Sequence, residues 1–280
     1  MKVILLLIVL IILLIFEIYL KKINIKEAFN FSEKKYLKFV TNINVGLSHH
    51  TSNLHAMMRE AYSRNLILIL PKFNLSGKHN RGKQLKSDLS KYYDYDNFTV
   101  NGTKIKILKD ESRIDDSQKI IIKDNSGNLS KSKKLIYDRN KTYKLNLPKS
   151  KDIIEIGDRI SKKIGEYACV HVRRGDMLNL KKNLNRETKS KNIIDKLSNF
   201  NIKKVYIMTD EKNLNVFNEV KDVYETYFFT NFEELKNIDD NYFLFFIEKV
   251  IMENAKIRIS TFRTNKDYYN DYLSEYKGFQ

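Results

Sequence analysis

Residues 166–178, EYACVHVRRGDML, run from apolar alternation into two adjacent arginines, a glycine and an aspartate. Guanidinium groups are planar forks that match phosphate oxygens in a bidentate manner, so Arg173 and Arg174 at the end of an apolar strand point to a diphosphate. Each charge-assisted hydrogen bond to such a group contributes roughly 1.5–3 kcal/mol. If the diphosphate is also the leaving group, negative charge grows on it in the transition state. The same contacts then speed its departure, and no divalent metal is strictly required. The plainer reading is a surface ion pair with Asp176 or an exposed Arg-Gly-Asp tripeptide; the apolar run Ala168–Val172 just before it argues for a buried strand instead. His171 within that run reads equally as a core histidine or as a ligand contact.

Other residues with chemical potential are weaker. Asp94-Tyr95-Asp96 resembles the metal-binding Asp-x-Asp of GT-A glycosyltransferases, whose carboxylates would hold Mn²⁺ or Mg²⁺ on a nucleotide diphosphate, but it lacks a convincing preceding strand and a structural reading is preferred. His49, His50 and His55 do not share a helical face at i, i+4, which argues against zinc. Cys169 is the only cysteine, so neither an intramolecular disulfide nor a thiolate metal cluster can form, and its place inside YACVHV makes it a small buried hydrophobe.

The elements that must position the arginines alternate between strand and helix. FVTNINVG, ending at Gly46, reads as a strand; Leu54, Met57, Met58, Ala61 and Tyr62 form one apolar helical face; LILILP is the next strand, closed by Pro71. Between Lys72 and Pro148 the pattern weakens, and KIIIK and KKLIYD around DNSGN predict a hairpin. From Ser150, a plausible N-cap, Ile153, Ile156, Ile160 and Ile164 line a helix that Gly165 ends. Three strands then carry polar ends: YACVHV before Arg173, KKVYIM before Thr209-Asp210, and KIRIS before Thr261, with YETYFF as a fourth. Such alternation implies an α/β fold with parallel sheets, whose ligands bind outside the carboxyl ends of the strands.

The 280 residues are 42% hydrophobic, with 2 prolines and 9 glycines, a composition that folds into one large core or two small ones. A formal charge of +17 would suit nucleic acid, yet the lysines are scattered and no nucleic-acid-binding motif is present, so an anionic small molecule is the better partner for that field. Residues 1–22 are apolar from Val3 to Leu20 except for Glu17 and lack a small-residue cleavage site, which predicts an uncleaved single-pass membrane anchor rather than a cleaved signal peptide. Lys21, Lys22 and Lys26 would hold the remainder in the cytoplasm by the positive-inside rule, whereas the acceptor sequons at Asn74, Asn97 and Asn101 favour the lumenal face of the Golgi or ER, the location expected here.

His171-Val172-Arg173-Arg174-Gly175-Asp176 resembles the His-x-Arg-Arg-Gly-Asp motif of the α1,2-, α1,6- and protein O-fucosyltransferases. NVGLSHHTSNLHAMMREAYSRNLILILP is similar to that family's glycine-initiated first helix and following strand, VYIMTDEKNL to its strand ending in Thr-Asp, and NAKIRISTFRTN to its last motif. The resemblance implies a GT-B fold of two Rossmann-like halves, an acceptor-side domain over residues 23–149 and a nucleotide-sugar-binding domain over 150–280. It implies inverting, metal-independent transfer of fucose from GDP-fucose, without a cofactor, to a glycan or glycoprotein. By the same resemblance Arg174 would bind the β-phosphate, Arg173 and His171 would shape the nucleotide pocket, and Asp176 would orient an arginine or contact donor. Asp210 would support the nucleotide side. Ser260, Thr261 and Phe262 would supply hydroxyl and backbone donors, and Gly46 would allow close approach of the sugar nucleotide. Arg263 stands where the family has serine, and Lys181 and Lys182 fill a loop that elsewhere carries a carboxylate, so no general base is assigned, although Glu187 is near in sequence. A transferase of another nucleotide sugar and an inactive glycan- or protein-binding relative are the alternatives.

Overall fold

The computed structural model describes residues 35–112, 114–123, 128–179, 184–260 and 274–275. The expected anchor over residues 1–22 lies outside the described residues, and among the described residues no helix is long and apolar enough to cross a membrane. The chain divides into two compact units. The first comprises the described residues up to Ser76, Leu85–Asp88 and Tyr95–Leu147; the second comprises Gly77–Gln84, Leu89–Asp94 and the described residues from Pro148 onward.

In the first unit, β1 (Tyr36–Val40) is followed by β2 (Asn44–Val45), α1 (Leu47–Ser63), β3 (Ile67–Ile69), β4 (Phe73–Leu75) and β5 (Leu85–Ser87). Next come β6 (Thr99–Val100), β7 (Thr103–Lys104), β8 (Ile107–Leu108), β9 (Lys119–Lys123) and β10 (Leu145–Asn146). A parallel sheet in the order β8-β3-β1-β9 forms its centre. Leu54, Met57, Met58 and Ala61 of α1 are buried, as are Leu37, Phe39 and Leu68 of the strands. This is the helix face that periodicity predicts, at i, i+3, i+4 and i+7.

Two expectations are corrected here. FVTNINVG is not one strand: β1 stops at Val40, and β2 joins a separate sheet beside β4 and β5. KIIIK and KKLIYD do not form a hairpin either. KIIIK is β9 and pairs parallel with β1. In the second segment the N–H groups of Ile136 and Tyr137 both donate to Oε2 of Glu60, at 2.9 and 3.0 Å. That buried α1 carboxylate satisfies the donors a strand partner would have taken. Asn101-Gly102, seen as a sequon, makes the tight turn between β6 and β7, with φ of 51° and 78°.

The second unit contains α2 (Lys151–Ile164), β11 (Ala168–Val172), α3 (Leu184–Glu187), α4 (Ser190–Leu197) and β12 (Lys204–Thr209). It continues with α5 (Asn218–Val223), β13 (Glu225–Tyr227), α6 (Glu233–Lys236), α7 (Asn241–Asn254), β14 (Ile257–Ser260) and β15 (Ser274–Glu275). Its sheet runs β13-β12-β11-β14-β15, parallel except for β15. The central strands β11 and β12 are largely apolar because both faces are covered. Ala168, Val170 and Val172 pack with Ile193 and Leu197 of α4 and Val220 of α5. On the opposite face Tyr206 donates its hydroxyl to Glu248 of α7. Gly157 of α2 lies so close to Val250 of α7 that a Cβ there would sit 2.5 Å from the valine Cβ.

Two segments assigned by sequence to the N-terminal half, Gly77–Gln84 and Leu89–Asp94, belong to this second unit. Asp240 ties in the second of them. Its carboxylate caps α7 through the N–H groups of Tyr242 and Phe243 and accepts from Lys91 Nζ and Tyr92 Oη, both at 2.9 Å. Asn80 Oδ1 accepts the N–H of Asn241 at 2.7 Å. Ser150 occupies the N-cap position of α2, but its hydroxyl donates to the carbonyl of Lys91 instead of capping the helix.

Candidate functional site at the carboxyl edge of the second sheet

Parallel register sets the site. His171 of β11 is level with Ser260 of β14 and Met208 of β12, and Val172 is level with Thr209. The polar strand ends Arg173–Gly175, Thr209–Glu211 and Ser260 are therefore brought to one edge of one sheet.

Asp210 fastens the loop after β11. Its Oδ1 accepts the backbone N–H of Arg174 at 2.7 Å and of Gly175 at 3.0 Å. A Cβ on Gly175 would lie 2.5 Å from Asp210 Oδ2, so only glycine lets the carboxylate approach. Thr209 adds a bond from its hydroxyl to the carbonyl of Val172 at 2.7 Å and accepts the N–H of Glu211 at 3.1 Å. Charge-assisted bonds to main-chain donors make this a stiff loop.

The two arginines diverge because successive residues of an extended chain point to opposite faces. Val172 faces α4 and α5, and Arg174 goes the same way. Its Nε donates to Glu211 at 2.9 Å, Nη1 to Thr188 Oγ1 at 2.6 Å and Nη2 to Asn185 Oδ1 at 2.7 Å. Its side chain is 7% exposed and that of Glu211 17%. The Glu211 carboxyl lies below its usual range: burial pushes it up, but the N–H of Asn213 and the Arg174 guanidinium outweigh that. Arg173 takes the other face. Its side chain is 33% exposed, with Nε 3.9 Å from Asp210 Oδ2.

His171 shares the face of Arg173. Its Nδ1 lies 3.2 Å from Ser260 Oγ, and its ring centroid is 6.3 Å from that of Phe245. Burial, together with the charges of Arg173 and Lys249, lowers its pKa to about 4, so the imidazole is neutral near pH 7. It exchanges a hydrogen bond with Ser260 and contributes no charge.

The remaining expected residues separate. Asp176 opens the short turn Asp176–Asn179 and is placed by its backbone alone. Gly46 belongs to the first unit, where it is the N-cap of α1 with φ −69° and ψ 162°, an extended conformation open to any residue. Thr261, Phe262 and Arg263, like Lys181 and Lys182, lie outside the described residues. Glu187 accepts from its neighbour Arg186 at 2.9 Å. Asp94 and Asp96 fall in different units, and Asp96 pairs with Lys109 at 3.2 Å. Among the described residues no group of three or more His, Cys, Asp or Glu side chains is placed to hold a metal.

Sequence reasoning missed Thr188, Asn185 and Glu211, the acceptors around Arg174. Their one available signal was that a buried guanidinium needs several partners. It also missed Lys249, which reads as an ordinary polar residue in an otherwise apolar helix.

No protein-family model matches the chain, and no curated protein matches it. Among solved structures it is similar to the fucosyltransferase NodZ from Bradyrhizobium, with 11% identity and a TM-score of 0.44 over 87% of this chain and 98% of that one. It is also similar to a NodZ α-1,6-fucosyltransferase soaked with GDP-fucose, with 10% identity and a TM-score of 0.43 over 87% of this chain and 99% of that one. Both are fucosyltransferases. Similarity this low assigns no activity, so the function is argued from the site itself.

Proposed function

We propose that the chain is a glycosyltransferase of GT-B type that transfers fucose from GDP-fucose to a glycan or protein hydroxyl, with inversion and without a metal. The observation that carries this reading is the meeting of His171, Arg173 and Ser260 on one face at the carboxyl edge of the second sheet, where doubly wound sheets take nucleotides.

Arg173 presents the fork to the donor diphosphate. Ser260 adds a hydroxyl, and Thr261, Phe262 and Arg263, which follow it in sequence, supply further donors in this reading. Arg174 is a positioning residue in this reading: with Asp210 and Glu211 it fixes the loop from which Arg173 projects. Holding Arg173 before substrate arrives means its charge needs little reorganisation as the sugar-phosphate bond breaks. Negative charge then gathers on the departing nucleotide, where guanidinium contacts strengthen most. Neutral His171 orients Ser260. Asp176 stays on the donor side, and Gly46 on the acceptor-side unit. Residues 1–22 anchor the chain with its catalytic part in the Golgi or ER lumen.

The test is a donor panel. The full chain in detergent is incubated with GDP-fucose, GDP-mannose and UDP-sugars in the presence of EDTA, and free nucleotide is measured. Slow GDP release from GDP-fucose is expected. Release from a different donor would replace fucose in this reading, binding without release would favour a binding-only relative, and neither binding nor release from any donor would refute the reading.

A further inference from the structure

We propose that Lys249 is a further anion-contacting residue of this edge, its ammonium holding the nucleoside diphosphate together with Arg173; the proposal rests on the reading of the site given above. Three geometric facts place it. Only Ala255 and Lys256 separate the end of α7 from the start of β14, so the helix returns antiparallel to the strands and its N-terminal end lies toward their carboxyl edge. Helical side chains lean toward the helix N-terminus, so Lys249 reaches toward that edge. Its ammonium stands 5.2 Å from the Phe245 ring centroid and 5.6 Å from that of Phe246. Phe245, one turn back on the same helical face, is the ring beside His171. Lys249 thus lies on the same side of the sheet as His171, Arg173 and Ser260.

The electrostatics agree. His171 of β11, which both Arg173 and Lys249 influence, faces the lysine from the sheet, Lys149 approaches from the segment before α2, and Glu253 from one turn further along α7. Glu253 is engaged by Lys149 at 2.7 Å. Burial, with Lys149 adding to it and Glu253 opposing, lowers the Lys249 pKa to about 8. Drawing an ammonium out of water is a cost that a bound diphosphate would relieve. The aromatic faces soften that cost and hold the side chain in place.

The test is calorimetric titration of the full chain in detergent with GDP and with inorganic pyrophosphate, for wild type, Lys249→Met and Lys249→Arg. Lys249→Met is expected to weaken both ligands about tenfold or more, the loss of one charge-assisted bond. Lys249→Arg should recover most of that, and the melting temperature of Lys249→Met should be at or above wild type because it no longer buries an ammonium. Unchanged GDP affinity in Lys249→Met would overturn the proposal while leaving the site reading intact. So would a loss in Lys249→Met that accompanies a lower melting temperature and is not rescued by arginine, which would make the lysine a packing residue. Wild type that binds neither GDP nor pyrophosphate removes the site reading, and the lysine with it.

Discussion

Arg174→Ala separates a residue that holds the loop from one that holds the substrate. Removing this guanidinium takes away the bonds to Glu211, Thr188 and Asn185 together. The Thr188 hydroxyl keeps its 2.6 Å bond to the carbonyl of Leu184, so the largest loss is the partly buried Glu211, left without its counter-charge. Breaking a fully buried ion pair from one side costs about 3–5 kcal/mol, and because water still reaches Glu211 the cost here is at the low end, about 3 kcal/mol. Set against the ~5–15 kcal/mol that holds a typical domain folded, this is about a fifth or more of the total. Arg174→Lys keeps a charge near Glu211 but cannot also reach Thr188 and Asn185, and should cost roughly half as much. Equilibrium urea unfolding of the full chain measures both, with GDP affinity read under conditions where each variant is folded. Arg173→Ala should behave oppositely. With its side chain one-third exposed and 3.9 Å from Asp210, it should change stability by less than about 1 kcal/mol while GDP affinity falls. Unaltered stability in Arg174→Ala with nucleotide binding lost would refute the division of roles, because Arg174 would then be the donor contact.

Gly175→Ala should lower stability by about 1–3 kcal/mol and weaken GDP binding, since the Asp210 carboxylate must retreat from the added carbon; urea midpoints and calorimetry read both. Gly157→Ala should separate α2 from α7 and cost about 1–3 kcal/mol despite the better helix propensity of alanine, seen as a lower urea midpoint without loss of GDP affinity. Burial raises the Glu248 pKa to about 8, against which the Tyr206 hydroxyl acts. The folded chain keeps a proton that the unfolded chain sheds near its ordinary pKa of 4.5, so this group lowers stability as pH rises from 4.5 to 8, by about 1.4 kcal/mol per unit. Glu248→Gln should flatten that slope, checked by urea unfolding at pH 6 and pH 8; an unchanged slope would show that Glu248 ionises freely.

What the sequence revealed follows the strength of its periodic signal. ACVHV and KVYIM are central strands covered on both faces, so they are mostly apolar runs, KIRIS alternates around Arg258, and α1 and α2 show their buried faces directly. The region from Lys72 to Pro148 was opaque because its segments are short and tied by single side chains. Glu60 serves two N–H groups of Ile136 and Tyr137, and Asp240 fastens Lys91 and Tyr92 to a helix far along the chain. No local pattern encodes such bonds. In the site, the arginine pair was plain from composition and spacing, but its division into one buried and one exposed guanidinium was not. That division depends on which face of β11 each residue meets and on Thr188 and Asn185, which an adjacent-residue motif does not specify.

The most direct test of the central claim is the structure of the full chain with GDP bound. The account predicts the diphosphate at the carboxyl ends of β11 and β14, with Arg173 within about 3 Å of its oxygens and Arg174 still paired with Glu211. GDP seated elsewhere, or Arg173 turned away from it, would contradict the account.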